Sequence, residues 1–187
     1  TKNKPPFVFD AATTTIAGNK MGLLERIGAS MQPGWVAHDD GTPDMDGGGE
    51  FQYAHGPQKM QLPLGGTREM GSHKGYGLGV SVDILCGILS NGAGFPTLQA
   101  SRRAHYVSAI KVDGFSEVNE FKSSMDQMLQ GLEDTKPSPG NKRVLYAGLE
   151  EYEEEQKRER DGIPLHKEVV EWYKGACEEM NIKFILN

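Results

Sequence analysis

Cysteine is scarce. The 187 residues hold two, Cys86 and Cys177, far apart and inside apolar helical patterns. They read as small buried hydrophobes in a reducing compartment rather than as a stapling pair. Long hydrophobic runs are also missing. A membrane-spanning helix needs about 18 or more apolar residues, and the longest apolar region, 78–89, is interrupted by Gly79, Ser81, Asp83 and Gly87. The opening Thr1-Lys2-Asn3-Lys4-Pro5-Pro6 lacks the apolar core of a secretory signal, so cytoplasm is the expected location. There is no block of Lys and Arg, and the formal net charge is -6. An acidic surface repels phosphate backbones and anionic lipid, which argues against nucleic acid and membrane as partners. No Cys/His cluster has zinc spacing. The run Asp40-Gly41-Thr42-Pro43-Asp44-Met45-Asp46 lacks the ligand order and closing Glu of a calcium loop, so no metal is expected. A GxGxxG fingerprint between strand and helix is absent: Gly75-Tyr76-Gly77-Leu78-Gly79 has another spacing and follows a loop.

What is present is the composition of a folded protein, 37% hydrophobic and 25% charged, at the length of one domain that needs no staples. Residues 7–9 read as a short buried strand, close to the start and without a lead-in element, which suits a segment of a longer polypeptide. Asn19 can cap a helix over about 20–31 that Pro33-Gly34 would stop. A short extended piece at 35–37 and a turn at Asp39-Asp40-Gly41 follow. Residues 42–61 form a long loop. The segment 75–91 is apolar nearly all round, which predicts a helix central to the core. A strand is predicted at 105–112, an amphipathic helix at 118–132, and a strand at 143–146. A charged surface helix follows at 150–161, then a short extended piece at 163–165, a helix at 169–180 and a strand at 182–186. Interspersed helices and strands make the class α/β or mixed α+β.

The most informative stretch is Leu64-Gly65-Gly66-Thr67-Arg68-Glu69-Met70-Gly71-Ser72-His73-Lys74-Gly75-Tyr76-Gly77-Leu78. It puts His73 and Lys74 at the mouth of an apolar helix. Free N–H groups and the helix dipole favour an anion there, Lys74 adds charge, and Gly75 permits close approach, as phosphate binding requires. The same glycines would equally serve tight packing, with His73 and Lys74 as exposed polar residues. Asp83, inside the apolar helix, reads as hydrogen-bonded to nearby backbone rather than catalytic.

The run His73-Lys74-Gly75-Tyr76-Gly77-Leu78, the later Val82-Asp83-Ile84-Leu85-Cys86-Gly87-Ile88-Leu89 and the upstream Leu62-Pro63-Leu64-Gly65-Gly66 resemble the malate/L-lactate dehydrogenase family of the second, non-Rossmann type. Phe7-Val8-Phe9-Asp10-Ala11-Ala12-Thr13, Pro33-Gly34-Trp35-Val36, Asp40-Gly41-Thr42-Pro43, Pro137-Ser138-Pro139-Gly140 and Tyr146-Ala147-Gly148 fall in that family's order. The resemblance implies NAD or NADP bound on a mixed sheet with a helical subdomain, usually in a homodimer. It implies hydride transfer between the cofactor and a small 2-hydroxy acid such as malate or L-lactate. It carries cofactor contacts onto Asp10, Ala11 and Ala12, onto His73, Lys74 and Gly75, and onto Ala147, Gly148 and Leu149. At the last segment the family's Pro-Gly-Glu departs to Ala147-Gly148-Leu149-Glu150. The family's acid/base is a His in a Ser-His-Gly context with an Arg nearby, in its N-terminal half. None of His38, His55, His73, His105 and His166 has that context. Residues 1–187 are therefore expected to be a single C-terminal portion, with no catalytic residue among them. Lys20, where imine-reducing members carry a relay Asp, fits the hydroxy-acid branch. The alternative is a non-catalytic nucleotide-binding or dimerising fragment that works only with another segment.

Overall fold

The computed structural model describes residues 1–46, 60–92, 94–97 and 104–186. His55 and most of the predicted loop at 42–61 lie outside the described residues. The class is mixed α/β, with five α-helices and two short strands among the described residues. None of these helices is long and apolar enough to cross a membrane. The chain divides into two units, Ala11–Ile110 and Thr1–Asp10 with Lys111–Asn187.

In the first unit, α1 (Gly18–Ile27) ends where Gly28 takes φ +64. The helix predicted to reach 31 thus stops earlier, because a glycine in the left-handed region ends the repeat before Pro33 can. Met31 still reaches the core, which holds Ile16, Met21, Met31 and Val36, with Leu24 and Trp35 against it. The strands β1 (Val36–Ala37) and β2 (Met60–Gln61) pair antiparallel, Val36 opposite Gln61. Beyond β2 the chain stays extended beside residues 13–15. Thr15 N–H donates to Leu62 O at 2.9 Å and Leu64 N–H to Thr13 O at 3.0 Å. Pro63 has no N–H to give, so the ladder stops at an isolated bridge to Thr14. The turn at 39–41 forms as predicted, with Gly41 at φ +84 and Thr42 N–H bonded to the Asp40 carboxylate at 2.8 Å.

Helix α2 (Ser72–Asp83) runs into a π-turn, Ile84–Ile88. It begins three residues before the predicted start, because Gly71 turns the chain at φ +93. Its apolar side chains are not enclosed, contrary to the prediction from its composition. Tyr76 is 66% exposed, Ile84 51% and Leu89 66%. An all-round apolar helix needs neighbours on all sides, and the described residues supply them on one: Gly75 is buried, and so is Gly87. The Asp83 carboxylate accepts from Phe95 N–H at 3.0 Å, the backbone bond its sequence setting predicts. Both cysteines are free thiols and partly buried.

In the second unit, α3 (Val118–Glu133) starts at Glu117, whose carboxylate accepts from the N–H groups of Asn119 and Glu120 at 2.7 and 3.0 Å. Leu129 of α3 is fully buried against Tyr146 and Leu149. The Asp126 carboxylate accepts from the N–H groups of Lys2, Asn3 and Lys4 at 3.0, 2.7 and 3.4 Å. Lys4 pairs with Glu133 at 2.8 Å, and the Tyr146 hydroxyl donates to Pro5 O at 3.2 Å. These bonds tie residues 2–4 onto α3 and Pro5 onto Tyr146. Helix α4 (Leu149–Asp161) and helix α5 (Lys167–Glu179) complete the unit.

The strands predicted at 7–9, 105–112, 143–146 and 182–186 do not form. Alternating apolar residues favour an extended chain, but a strand also needs a partner for its N–H and C=O groups. Of these segments, 7–9 has one such bond, Val8 N–H to Ala147 O at 3.0 Å. Val107 and Ile110 are among the most exposed apolar residues, at 88% and 78%.

Candidate functional site

Two concavities are lined in part by residues singled out by the sequence, one by His73 and the other by Asp10, Ala147 and Gly148. In the first unit the chain from Leu62 to α2 is locked by backbone bonds: Gly66 N–H to Pro63 O, Gly71 N–H to Arg68 O and Ser72 N–H to Thr67 O, all between 2.8 and 3.1 Å. Gly65 stands at φ +100, and a side chain there would strike the backbone of Gly71 and Ser72. A Cβ on Gly75 would lie 2.8 Å from Leu64 Cα and nearer still to Leu64 N and O. The second turn of α2 therefore rests on the Leu64 backbone. Gly75 is spent on that packing, and the face it opens is filled by protein rather than by solvent.

This packing leaves His73 and Lys74 in the first turn of α2, both exposed. No side chain caps the helix at Gly71. The Lys74 side chain folds back over Gly71, its Nζ 3.9 Å from the point that a Cβ on Gly71 would occupy. An ammonium thus stands beside a helix N-terminus whose first N–H groups have no side-chain acceptor. A concavity of about 610 Å³ opens next to it, lined by Pro63, Arg68, Ser72, His73 and Tyr76. None of the five is acidic, and four bring side-chain groups that can donate hydrogen bonds. That donor set fits an anionic oxygen. Ala11 and Ala12 are exposed in the same unit, just before Thr13 bonds to Leu64.

In the second unit, Asp10, Ala147 and Gly148 come together in a groove of about 1130 Å³. Gly148 stands at φ +93, and a Cβ there would lie 2.9 Å from Val8 N and Cβ. Only glycine lets the start of α4 press on 6–8 in this way. Leu149, although next in sequence, turns its side chain into the core with Leu129 and Tyr146, and its N–H donates to Tyr146 O at 3.1 Å. Burial raises the Tyr146 hydroxyl pKa, and Glu133 adds to the rise. The groove is also lined by Glu150, Glu151, Glu154, Glu155 and Glu159, with Arg158 as the one cation among its lining residues. Arg158 lies 3.5 Å from Glu154. Carboxylates in this number accept from hydroxyl groups and repel phosphate.

Sequence reading missed Arg68, Ser72 and Tyr76 as lining residues, and it read the acidic residues of α4 only as a solvated face. The signals were present. Arg68 sits on a turn between glycines just ahead of α2, and 151, 154, 155 and 158 share one helical stripe. Among the described residues no three His, Cys, Asp or Glu side chains converge on a point where a metal could sit.

Residues 1–173 match the model of a family described as malate/L-lactate dehydrogenase. The malate dehydrogenase of Pyrococcus abyssi is 29% identical over 194 residues, covering 98% of this chain and 51% of that protein. The L-lactate dehydrogenase of Cupriavidus necator is 34% identical over 157 residues, covering 80% of this chain and 41% of that protein. Among solved structures, malate dehydrogenase from Entamoeba histolytica superimposes with a TM-score of 0.80 at 26% identity, covering 97% of this chain and 52% of its own. The chain thus spans about half the length of relatives it matches along most of its own sequence.

Proposed function

The chain belongs to the malate/L-lactate dehydrogenase family, and from that premise we propose that it is the cofactor-binding part of an NAD(P)-dependent oxidoreductase acting on a small 2-hydroxy acid, malate or L-lactate being the first choices. The observation that carries this reading is the first turn of α2. There the Lys-Gly-Tyr-Gly run puts an ammonium over a helix N-terminus, beside a concavity lined by donors and no acid. When bound, NAD(P) supplies the site that accepts or gives the hydride.

The chain's own residues bind and orient. Lys74 neutralises a phosphate oxygen, and the dipole of α2, positive at this end, adds to the attraction. His73 donates or accepts at the same rim. Taken by itself, the groove of the second unit offers acceptors, Asp10 and the acidic side of α4, that would suit the hydroxyl groups of a sugar, and its Ala147-Gly148 backbone would allow a flat group to approach. Ala11 and Ala12, exposed ahead of Thr13, present no bulk to a ligand on their own unit. Gly75 and Leu149 act through packing, the first by seating α2 and the second by anchoring α4. The hydroxyl proton is taken by a His outside these residues, and the substrate carboxylate is met by an Arg likewise outside them. The working protein is a cytoplasmic homodimer on this reading.

The test is titration with NADH followed by nucleotide fluorescence. Lys74→Ala should weaken binding roughly tenfold or more, since a charge-assisted contact contributes about 1.5–3 kcal/mol. Equal affinity in wild type and variant removes Lys74 from the site.

A further inference from the structure

Arg68 is not among the residues that the family resemblance carries over, yet it lines the concavity beside α2 together with Ser72 and His73. Its backbone is held on both sides. Its carbonyl accepts from Gly71 N–H at 3.1 Å, and the residue before it, Thr67, accepts from Ser72 N–H at 3.0 Å and through its hydroxyl from Met70 N–H at 3.3 Å. A guanidinium on so fixed a turn loses less freedom when it closes on a ligand than one on a loose loop. Glu69, the adjacent acid, does not line the cavity. Its carboxylate is held below the usual range first by its own backbone N–H, then by the Thr67 hydroxyl, and last by Arg68 itself. Arg68 is exposed, and none of the residues that line the cavity with it is acidic.

We propose that Arg68 is an oxyanion-binding residue of this site, gripping a planar pair of oxygens on a phosphate or a carboxylate while His73 and Ser72 bond the same group. The proposal rests on the dehydrogenase reading for the identity of the oxyanion, which would come either from the diphosphate of the cofactor or from the 2-hydroxy acid. Arg fits such a pair through two parallel N–H bonds, whereas Lys meets it as a point charge.

The experiment records amide chemical shifts of Ser72 and His73 in the full chain during titration with inorganic pyrophosphate and, separately, L-malate. Wild type, Arg68→Ala and Arg68→Lys are compared, and NADH is titrated in parallel by fluorescence. The expected result is a saturable shift with pyrophosphate that weakens roughly tenfold in Arg68→Ala and is only partly restored in Arg68→Lys. A shift with malate and none with pyrophosphate, with the same dependence on Arg68, assigns the oxyanion to the substrate carboxylate. Shifts that ignore Arg68, or no shift with either anion, overturn the proposal. Where malate gives no shift, NADH binding that is insensitive to Arg68 overturns it and leaves the dehydrogenase reading intact. Anion binding through Arg68 without any NADH binding upholds this site and removes the cofactor reading.

Discussion

Gly75 and Gly77 stand two residues apart in α2 and should respond to alanine in opposite directions. At Gly75 the added methyl meets Leu64 Cα at 2.8 Å and its N and O at less, all of them backbone atoms that cannot swing aside. Relief requires α2 to lift from Leu64 or the turn at 65–71 to reorganise, and that turn is fastened by three backbone bonds. Overpacking of this kind costs about 1–3 kcal/mol where side chains can yield, and an immovable backbone puts Gly75→Ala at about 3 kcal/mol. At Gly77 a Cβ meets nothing within 4 Å. There alanine only narrows the unfolded ensemble and favours the helix, a gain of about 0.4–1 kcal/mol. The two variants should thus differ by nearly ~4 kcal/mol. With a urea slope of about 2 kcal/mol/M their midpoints lie about 2 M apart, on either side of wild type. The assay is urea denaturation followed by far-ultraviolet circular dichroism, with NADH titration of the folded variants. Coincident midpoints would refute the seating of α2 on Leu64, and with it the fixed position of His73 and Lys74.

Leu129→Ala should cost about 2–5 kcal/mol, because the side chain is fully buried between Tyr146 and Leu149 and its removal leaves a cavity. Urea denaturation beside the surface control Glu154→Ala checks this, and equal midpoints would mean that the second unit has no such core. Asp126 governs a pH response. Burial raises its carboxyl pKa, but the N–H groups of Lys2, Asn3 and Lys4 outweigh that and hold it below the ordinary carboxylate value. A depressed folded pKa means the tie is fully present above about pH 4, the unfolded carboxylate range, and is lost as pH falls through the lower folded value. Protection of the amides of residues 2–4, measured against the intrinsic exchange rate at the same pH, should therefore fall in acid. Asp126→Asn should give quick exchange already at neutral pH, and unchanged protection in that variant would refute the tie.

The composition of the chain was enough to place it among folded proteins, and local patterning was enough to predict all five helices. Helices satisfy their own backbone bonds, so the pattern Val118, Phe121, Met125, Met128, Leu129 and Leu132 predicts α3 without knowledge of its neighbours. Positions within the helices were less legible. Gly28 ended α1, and Gly71 started α2 ahead of its motif, because a positive φ belongs to a three-dimensional turn. The motif around Lys74 was readable as a proposal about chemistry, since its residue types and spacing suit an anion at a helix start and equally suit tight packing. That Gly75 faces Leu64 and that Leu149 turns inward onto Leu129 depends on residues outside the helix each belongs to, and that Arg68 joins His73 depends on how the turn between them closes. Strands at 105–112 and 182–186 were predicted from alternation alone, but alternation records which side chains are apolar and says nothing about which chain pairs with them. Tertiary structure decides that, because a strand's hydrogen bonds leave the segment while a helix's bonds stay within it.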